Sequence, residues 1–287
     1  MITETTDKLP HFLKFLNERL NVSTTTKPLV IGLVGIQGAG KTTLVNSLIA
    51  ARPTTTAVFS IDDCYLTHAD QVSLASQFPK NKMLQHRGVP GTHDVKQCVD
   101  TLTRLVNRDG IVKLPKYDKS KFDGQGDRVD EREWEFIDSS KIDLVVLEGW
   151  CTGFTAITQS ELAHAVRDGA SHATLGQHSL HDLEFINSAL KSYSEIWDFF
   201  NGFVILDAEN ESIVYRWRLQ QEIELRFKNN GKGMTEEQVK QFVDGYMPCY
   251  ELYLNNTRLG KGLNLQTGSF LRIITNDNRE VVGIQQI

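Results

Sequence analysis

The chain has little of what would tie it to a membrane, a disulfide framework or a nucleic acid. Its four cysteines, Cys64, Cys98, Cys151 and Cys249, are scattered without a C-x-x-C pair. That excludes a zinc knuckle or disulfide scaffold and favours a reducing compartment. No apolar run approaches the roughly 20 residues needed to span a bilayer. The N-terminus carries Glu4, Asp7 and Glu18 and has no apolar signal core, so the expected location is cytoplasmic, with the nucleus open. Positive charge is also scarce: 31 Lys and Arg stand against 36 Asp and Glu, a net charge of −5. No general field exists to hold nucleic acid or an anionic membrane, and neither is expected as a partner. Nor is there an internal repeat, a low-complexity tract or an obvious linker. The 287 residues therefore read as one domain, 1–287, with 1–27 as a helical extension.

What is present is organised around residues 28 to 46. The apolar run Leu29 to Val34 breaks into Gly35-Ile36-Gln37-Gly38-Ala39-Gly40-Lys41-Thr42-Thr43 and then resumes with helical periodicity. This is G-x-x-x-x-G-K-[ST] between a strand and a helix, the context a phosphate-binding loop requires. Glycines let the backbone turn tightly and aim N–H groups into one concavity. Lys41 supplies a point charge for the outer phosphates and Thr42 a hydroxyl for Mg2+. The helix start adds unpaired N–H groups and a positive dipole end. A nucleoside triphosphate, ATP with Mg2+, is the expected cofactor.

The apolar runs predict an α/β fold of three layers, a parallel central sheet flanked by helices in the manner of P-loop NTPases, with Leu29–Gly35 central. Ala57 to Ile61 predicts a strand ending in Asp62-Asp63, and Ile142 to Leu147 one ending in Glu148. Ligands sit at the carboxyl ends of parallel strands, so these acids belong beside the phosphate loop. Glu148 is the expected second metal ligand with Thr42. Phe12, Leu13, Phe15, Leu16 and Leu20 predict a covering helix, and Thr92 is expected to cap a helix over 93–107 with Val95, Val99, Leu102 and Val106 as its stripe. Another helix spans Ile213 to Phe227, with Tyr215, Leu219, Ile223 and Phe227 four apart. Thr235 to Gln238 reads as a capping box, and 270–286 as a closing strand pair. His164, His172, His178 and His181 match no compact metal pattern and are given no chemistry.

The reaction class is narrowed by further absences. Guanine-selecting N-K-x-D and the L-S-G-G-Q signature of transport ATPases are both missing. In-line phosphoryl transfer to an alcohol needs a carboxylate within reach of the hydroxyl. Asp62 suits that role, with Asp63 as rival, because strand alternation points only one of them into the crevice. Arg216 and Arg218 lie about 200° apart on their helix, so at most one faces the nucleotide. Arg218 can alternatively form a surface pair with Glu222.

Ser60-Ile61-Asp62-Asp63-Cys64-Tyr65 resembles the S-x-D-x-F-Y element of the uridine kinase, pantothenate kinase and phosphoribulokinase superfamily, in which the Asp matching Asp62 serves as base. A fuller resemblance, over nearly the whole chain, is to the fungal "topoisomerase I damage affected" P-loop kinase and plant-type glycerate kinase family. It is carried by Tyr65-Leu66-Thr67-His68, Arg87-Gly88 with Pro90-Gly91-Thr92-His93-Asp94, and Leu114-Pro115-Lys116-Tyr117-Asp118-Lys119-Ser120. Further blocks are Gly126-Asp127-Arg128, Leu147-Glu148-Gly149-Trp150, Trp217 to Glu222, Gly231 to Thr235 and Tyr246-Met247-Pro248. The resemblance implies an ATP-dependent kinase phosphorylating a hydroxyl of a small anionic metabolite, with D-glycerate the leading acceptor. It gives Tyr65 and His93 to the acceptor pocket. The alternative is a catalytically silent ATP-binding regulator of the same fold. Gln221 stands where the wider superfamily often has a second lid arginine, which leaves Arg218 to stabilise transferred charge.

An anionic acceptor needs cations. Lys116, Lys119, Lys121 and Arg128 cluster in one loop with Tyr117, and Arg87 lies in another. Arg87, Lys116, Tyr117 and Arg128 are the expected acceptor ligands, while Lys119 and Lys121 read as solvated surface charges.

Overall fold

The computed structural model describes residues 7–22, 26–168, 174–228 and 231–287. The main sheet uses β1 (Leu29–Gly35), β2 (Thr56–Ser60), β7 (Leu144–Gly149), β8 (Gly202–Ala208), β9 (Phe270–Thr275) and β10 (Val281–Gln286). Their order is β10-β9-β8-β1-β7-β2. All neighbours run parallel except the closing β9–β10 pair. β1, β7 and β8 each combine continuous apolar sequence with near-complete burial, as strands covered on both faces must. Two small ladders, β3 (Ile111–Lys113) with β6 (Phe136–Asp138) and β4 (Tyr117–Asp118) with β5 (Asp127–Arg128), form two further antiparallel two-stranded sheets.

Helices cover both faces of the sheet. α1 (Leu9–Val22) buries Phe12, Phe15 and Leu16 and packs on α2 (Lys41–Ala51). On β1, Ile31 points toward the Phe15 side, while Gly32 points oppositely, into Phe200 and Phe203; a Cβ there would fall 2.5 Å from the Phe200 ring. The chain continues through α3 (His68–Gln77), α4 (Val95–Asn107), α5 (Gln159–Arg167), α6 (Leu180–Trp197), α7 (Ile213–Lys228) and α8 (Glu236–Asp244). A last helical run, 247–258, contains a π-helical stretch, Tyr250–Leu254.

Three local expectations shift. The cap of α4 is Asp94, whose side chain accepts from the Gln97 N–H, because Thr92 is turned back onto Gly88 and Val89. The buried line of α4 is accordingly Cys98, Thr101, Leu102 and Leu105. On α7 the four-apart stripe is not a core face: Ile223 and Phe227 are exposed, and burial falls on Ile213, Val214, Trp217 and Glu222. The Thr235 capping box is present with both reciprocal bonds. Asn229 and Asn230, in the expected break after α7, lie outside the described residues.

Candidate active site

The phosphate loop leaves β1 at its carboxyl end. Gly38 and Gly40 have φ of 86° and 91°, the left-handed conformation that glycine adopts without a side-chain penalty. Gly38 is also pressed against Trp217, where an added Cβ would lie 2.5 Å from the Trp217 Cβ. The loop amides do not all face outward. The Gln37 N–H donates to the Tyr250 hydroxyl at 3.2 Å, and the Ala39 N–H closes a turn on the Ile36 carbonyl at 3.1 Å. Ile36 and Ala39 are buried as packing residues, and Gly35 offers its carbonyl to the Lys41 ammonium at 2.7 Å. The concavity is thus left to Gly38, Gly40 and the first turn of α2, whose N–H groups have no intrahelical acceptors. From behind, Arg279 stacks over Trp217 at 5.1 Å and donates Nε–H to the Gly38 carbonyl at 2.7 Å.

Sheet register brings the two acidic ends to this loop. Ser60 of β2 is level with Glu148 of β7, and Glu148 is level with Leu33 of β1. Burial pushes the Lys41 pKa down, and the negative charges of Glu148 and Asp62 oppose that fall. All three line one cleft of about 570 Å³, together with Thr42, Thr43, Asp63, Tyr65, Arg87, Lys119, Arg218 and Tyr246.

Asp62 and Asp63 sit on a 3-10 turn, Ile61–Cys64, capped by the Ser60 hydroxyl, so strand alternation does not decide between them. Their hydrogen bonding differs. Asp63 accepts from the Ser60 N–H and the Tyr117 N–H, both at 3.2 Å, and is held in place by them. Burial raises its pKa despite those bonds. Asp62 keeps 20% of its side-chain exposure and pairs through Oδ2 with the Lys119 ammonium at 2.6 Å. Burial would push the Asp62 carboxyl up, but the charge and hydrogen bond of Lys119 outweigh it and hold the group below its ordinary value.

Arg218 lines the cleft, whereas Arg216 pairs with Asp277 on the outside. The Arg218–Glu222 pair exists, at 3.0 Å, but it is a buried wall contact rather than a surface pair: Glu222 is 2% exposed and also accepts from the Met234 N–H.

Several expected acceptor ligands lie elsewhere. Lys116 is exposed and does not line the cleft. Arg128 is consumed by Asp94 at 3.0 Å and the Tyr65 carbonyl at 3.1 Å, which pins β5 to the turn before α4. His93 is buried behind Tyr65, stacked on it at 4.5 Å, with Nδ1 2.7 Å from the Tyr193 hydroxyl. Burial pushes its pKa down to about 4, so the ring is neutral at neutral pH. Tyr117 packs edge-on against Tyr65 and beneath Arg87. Conversely, Lys119, Trp150 and Tyr246 line the cleft without having been singled out as ligands. Lys119 belongs to the segment Leu114 to Ser120 that carries the family resemblance, but side-chain direction in a loop is not written in spacing. Of the histidines, His164 pairs with Asp168 and His181 with Glu184, and His172 is outside the described residues. No group of three or more His, Cys, Asp or Glu among the described residues could hold a metal ion. No helix among them is long and apolar enough to cross a membrane.

Comparison with known proteins agrees with this geometry. The family model of the CobW/HypB/UreG nucleotide-binding domain matches residues 29–173, the segment holding the phosphate loop and both acidic strand ends. An uncharacterized kinase, mug58, of Schizosaccharomyces pombe is 38% identical over 93% of this chain and 94% of its own. The chloroplastic D-glycerate 3-kinase of Arabidopsis thaliana is 37% identical over 79% of this chain and 48% of its own. A solved structure of D-glycerate 3-kinase from Cryptococcus neoformans superposes with a TM-score of 0.88, at 35% identity, covering 98% of this chain and 99% of that one. With a nucleotide-binding segment, a mostly parallel sheet and fungal kinase relatives matched over nearly their whole length all coinciding, the chain belongs to the family of ATP-dependent P-loop small-molecule kinases that includes these fungal and plant proteins.

Proposed function

We propose that this protein transfers the γ-phosphoryl group of ATP to a hydroxyl of D-glycerate. The observation that carries the reading is the convergence of Lys41, Asp62 and Glu148, from three different strand ends, on one cleft. The acceptor comes from the names of the Arabidopsis and Cryptococcus relatives and suits a cleft that holds Arg87 and Lys119 beside Asp62.

In this reading Lys41 and the outward amides hold the phosphates. Thr42 and Glu148 hold Mg2+: both offer hard oxygen donors, and the Glu148 carboxylate accepts no hydrogen bond from the described residues. When bound, the ion neutralises charge on the phosphate oxygens. Asp62 takes the acceptor's hydroxyl proton as that oxygen bonds to the γ-phosphorus and the bond from phosphorus to the ADP oxygen breaks. Arg218 stabilises the charge spread over the phosphoryl oxygens, and its anchoring by Glu222 limits the reorganisation this requires. The Lys119 pair holds the Asp62 carboxyl below its ordinary value, so the proposed base is ionised at neutral pH.

The test is ADP release with ATP, Mg2+ and D-glycerate, with the phosphorylated product identified by mass spectrometry. D-glycerate-dependent ADP and a phosphoglycerate are expected. ATP binding without acceptor-dependent release would favour the regulator.

A further inference from the structure

The cleft contains four cations, and three of them are committed. Lys41 is held at the Gly35 carbonyl inside the phosphate loop. Arg218 is paired with Glu222 and lies over the Phe242 ring. Arg87 spends its guanidinium on backbone carbonyls of the neighbouring loop, those of Lys119, Gly124 and Gln125. The fourth, Lys119, is 58% exposed, and its ammonium rests on Asp62 Oδ2.

That contact raises a steric question for proton transfer. Asp62 Oδ1 is covered from solvent. Oδ2 is therefore the oxygen an acceptor hydroxyl can approach, and Lys119 already occupies it. An acceptor hydroxyl must displace the ammonium from the base or share the oxygen with it. Displacement needs no loop movement, because Arg87 pins the Lys119 carbonyl while the four-carbon stem remains free to turn. The exposed Lys119 ammonium is free to follow a carboxylate that enters beside Asp62, whereas an uncharged acceptor offers it no charged partner to move to.

We propose that Lys119 is the specificity-determining residue: it passes from Asp62 to the carboxylate of a small hydroxy acid, so that only an anionic acceptor frees the base. This rests on the kinase reading above and names its acceptor class, acids whose carboxylate is a few bonds from the accepting hydroxyl. A neutral polyol brings a hydroxyl but no carboxylate, and leaves Lys119 on Oδ2. The exchange is a change of ion-pair partner. The phosphoryl step itself is unchanged, with the hydroxyl proton passing to Asp62 as before.

The experiment compares D-glycerate with glycerol, which has the same carbon chain without the carboxylate, in the unaltered protein, Lys119→Met and Lys119→Arg. ATP affinity is measured alongside, to show that each variant is folded. Losing a charge-assisted hydrogen bond predicts that Lys119→Met lowers kcat/KM for D-glycerate by about 10- to 100-fold, mainly through KM. For glycerol kcat/KM does not fall, and Lys119→Arg keeps most of the D-glycerate preference. In Lys119→Met the acid limb of the kcat/KM profile also moves to higher pH, because the charge that favours ionised Asp62 has gone. An unchanged ratio between the two acceptors, or an acid limb that stays in place, overturns the proposal while leaving the kinase reading intact. Absence of transfer to either acceptor by the unaltered protein overturns both.

Discussion

Asp62→Asn separates the chemistry of the cleft from its shape. The replacement has the same size, and the Lys119 pair it breaks is more than half exposed on the lysine side. Such pairs contribute about 0–1 kcal/mol, so folding should be almost unaffected. Nucleotide binding should not weaken. Asp62 carries a negative charge into the cleft that also holds Lys41, and removing it relieves repulsion toward a triphosphate. The loss belongs to proton transfer, for which a positioned base is worth about 10²- to 10⁴-fold, or about 3–5 kcal/mol of barrier at 1.36 kcal/mol per decade. The assay is steady-state ADP release with D-glycerate, paired with calorimetric titration of ATP. In the unaltered protein the sign with pH follows from the depressed pKa of Asp62. The base is ionised at neutral pH, and kcat/KM is lost only as pH falls below the ordinary carboxylate range. A parallel loss of ATP affinity and turnover would refute the assignment, because it would make Asp62 a nucleotide or metal ligand. So would a variant retaining more than about a tenth of the rate.

Two other perturbations test the scaffold. Gly38→Ala puts a side chain at φ 86° and 2.5 Å from the Trp217 Cβ; strain of this kind costs about 1–3 kcal/mol. Weaker ATP binding and a lower urea midpoint are both expected, and normal ATP affinity would show that the loop adapts. Asp207→Asn strikes the fully buried carboxylate at the end of β8 that holds Arg258 at 2.8 Å and Arg272 at 2.7 Å. Removing one partner of such a network costs about 3–5 kcal/mol, measurable by urea denaturation, and a loss under about 1 kcal/mol would contradict the account.

The parts of this molecule that could be read from the chain are those whose determinants are local. The glycine spacing before Lys41, the strand Leu29–Gly35, the strand expected over Ile142 to Leu147 and observed at Leu144–Gly149, the Thr235 capping box and the closing hairpin all follow from neighbours in sequence. So does the arrival of Asp62 and Glu148 at the same end of the sheet, because parallel strands deliver their carboxyl ends to one edge. The acceptor side was less legible. Residue type favoured Lys116 and Arg128 over Lys119 and Lys121, and only packing shows that Arg128 is spent on Asp94 and that Lys119 reaches Asp62.

The sequence by itself determined a nucleotide-binding α/β protein with acids at two strand ends, since hydrophobic period and glycine geometry act over a few residues. Tertiary structure alone set Asp62 apart from Asp63, through the backbone N–H groups of Ser60 and Tyr117 that Asp63 accepts from. It alone brought Arg279 onto the Gly38 carbonyl from 241 residues away and Tyr250 onto the Gln37 amide. The reason is physical: a charged or polar side chain takes whichever partner folding brings within about 3 Å, and residues far apart in the chain leave no periodic trace of that meeting.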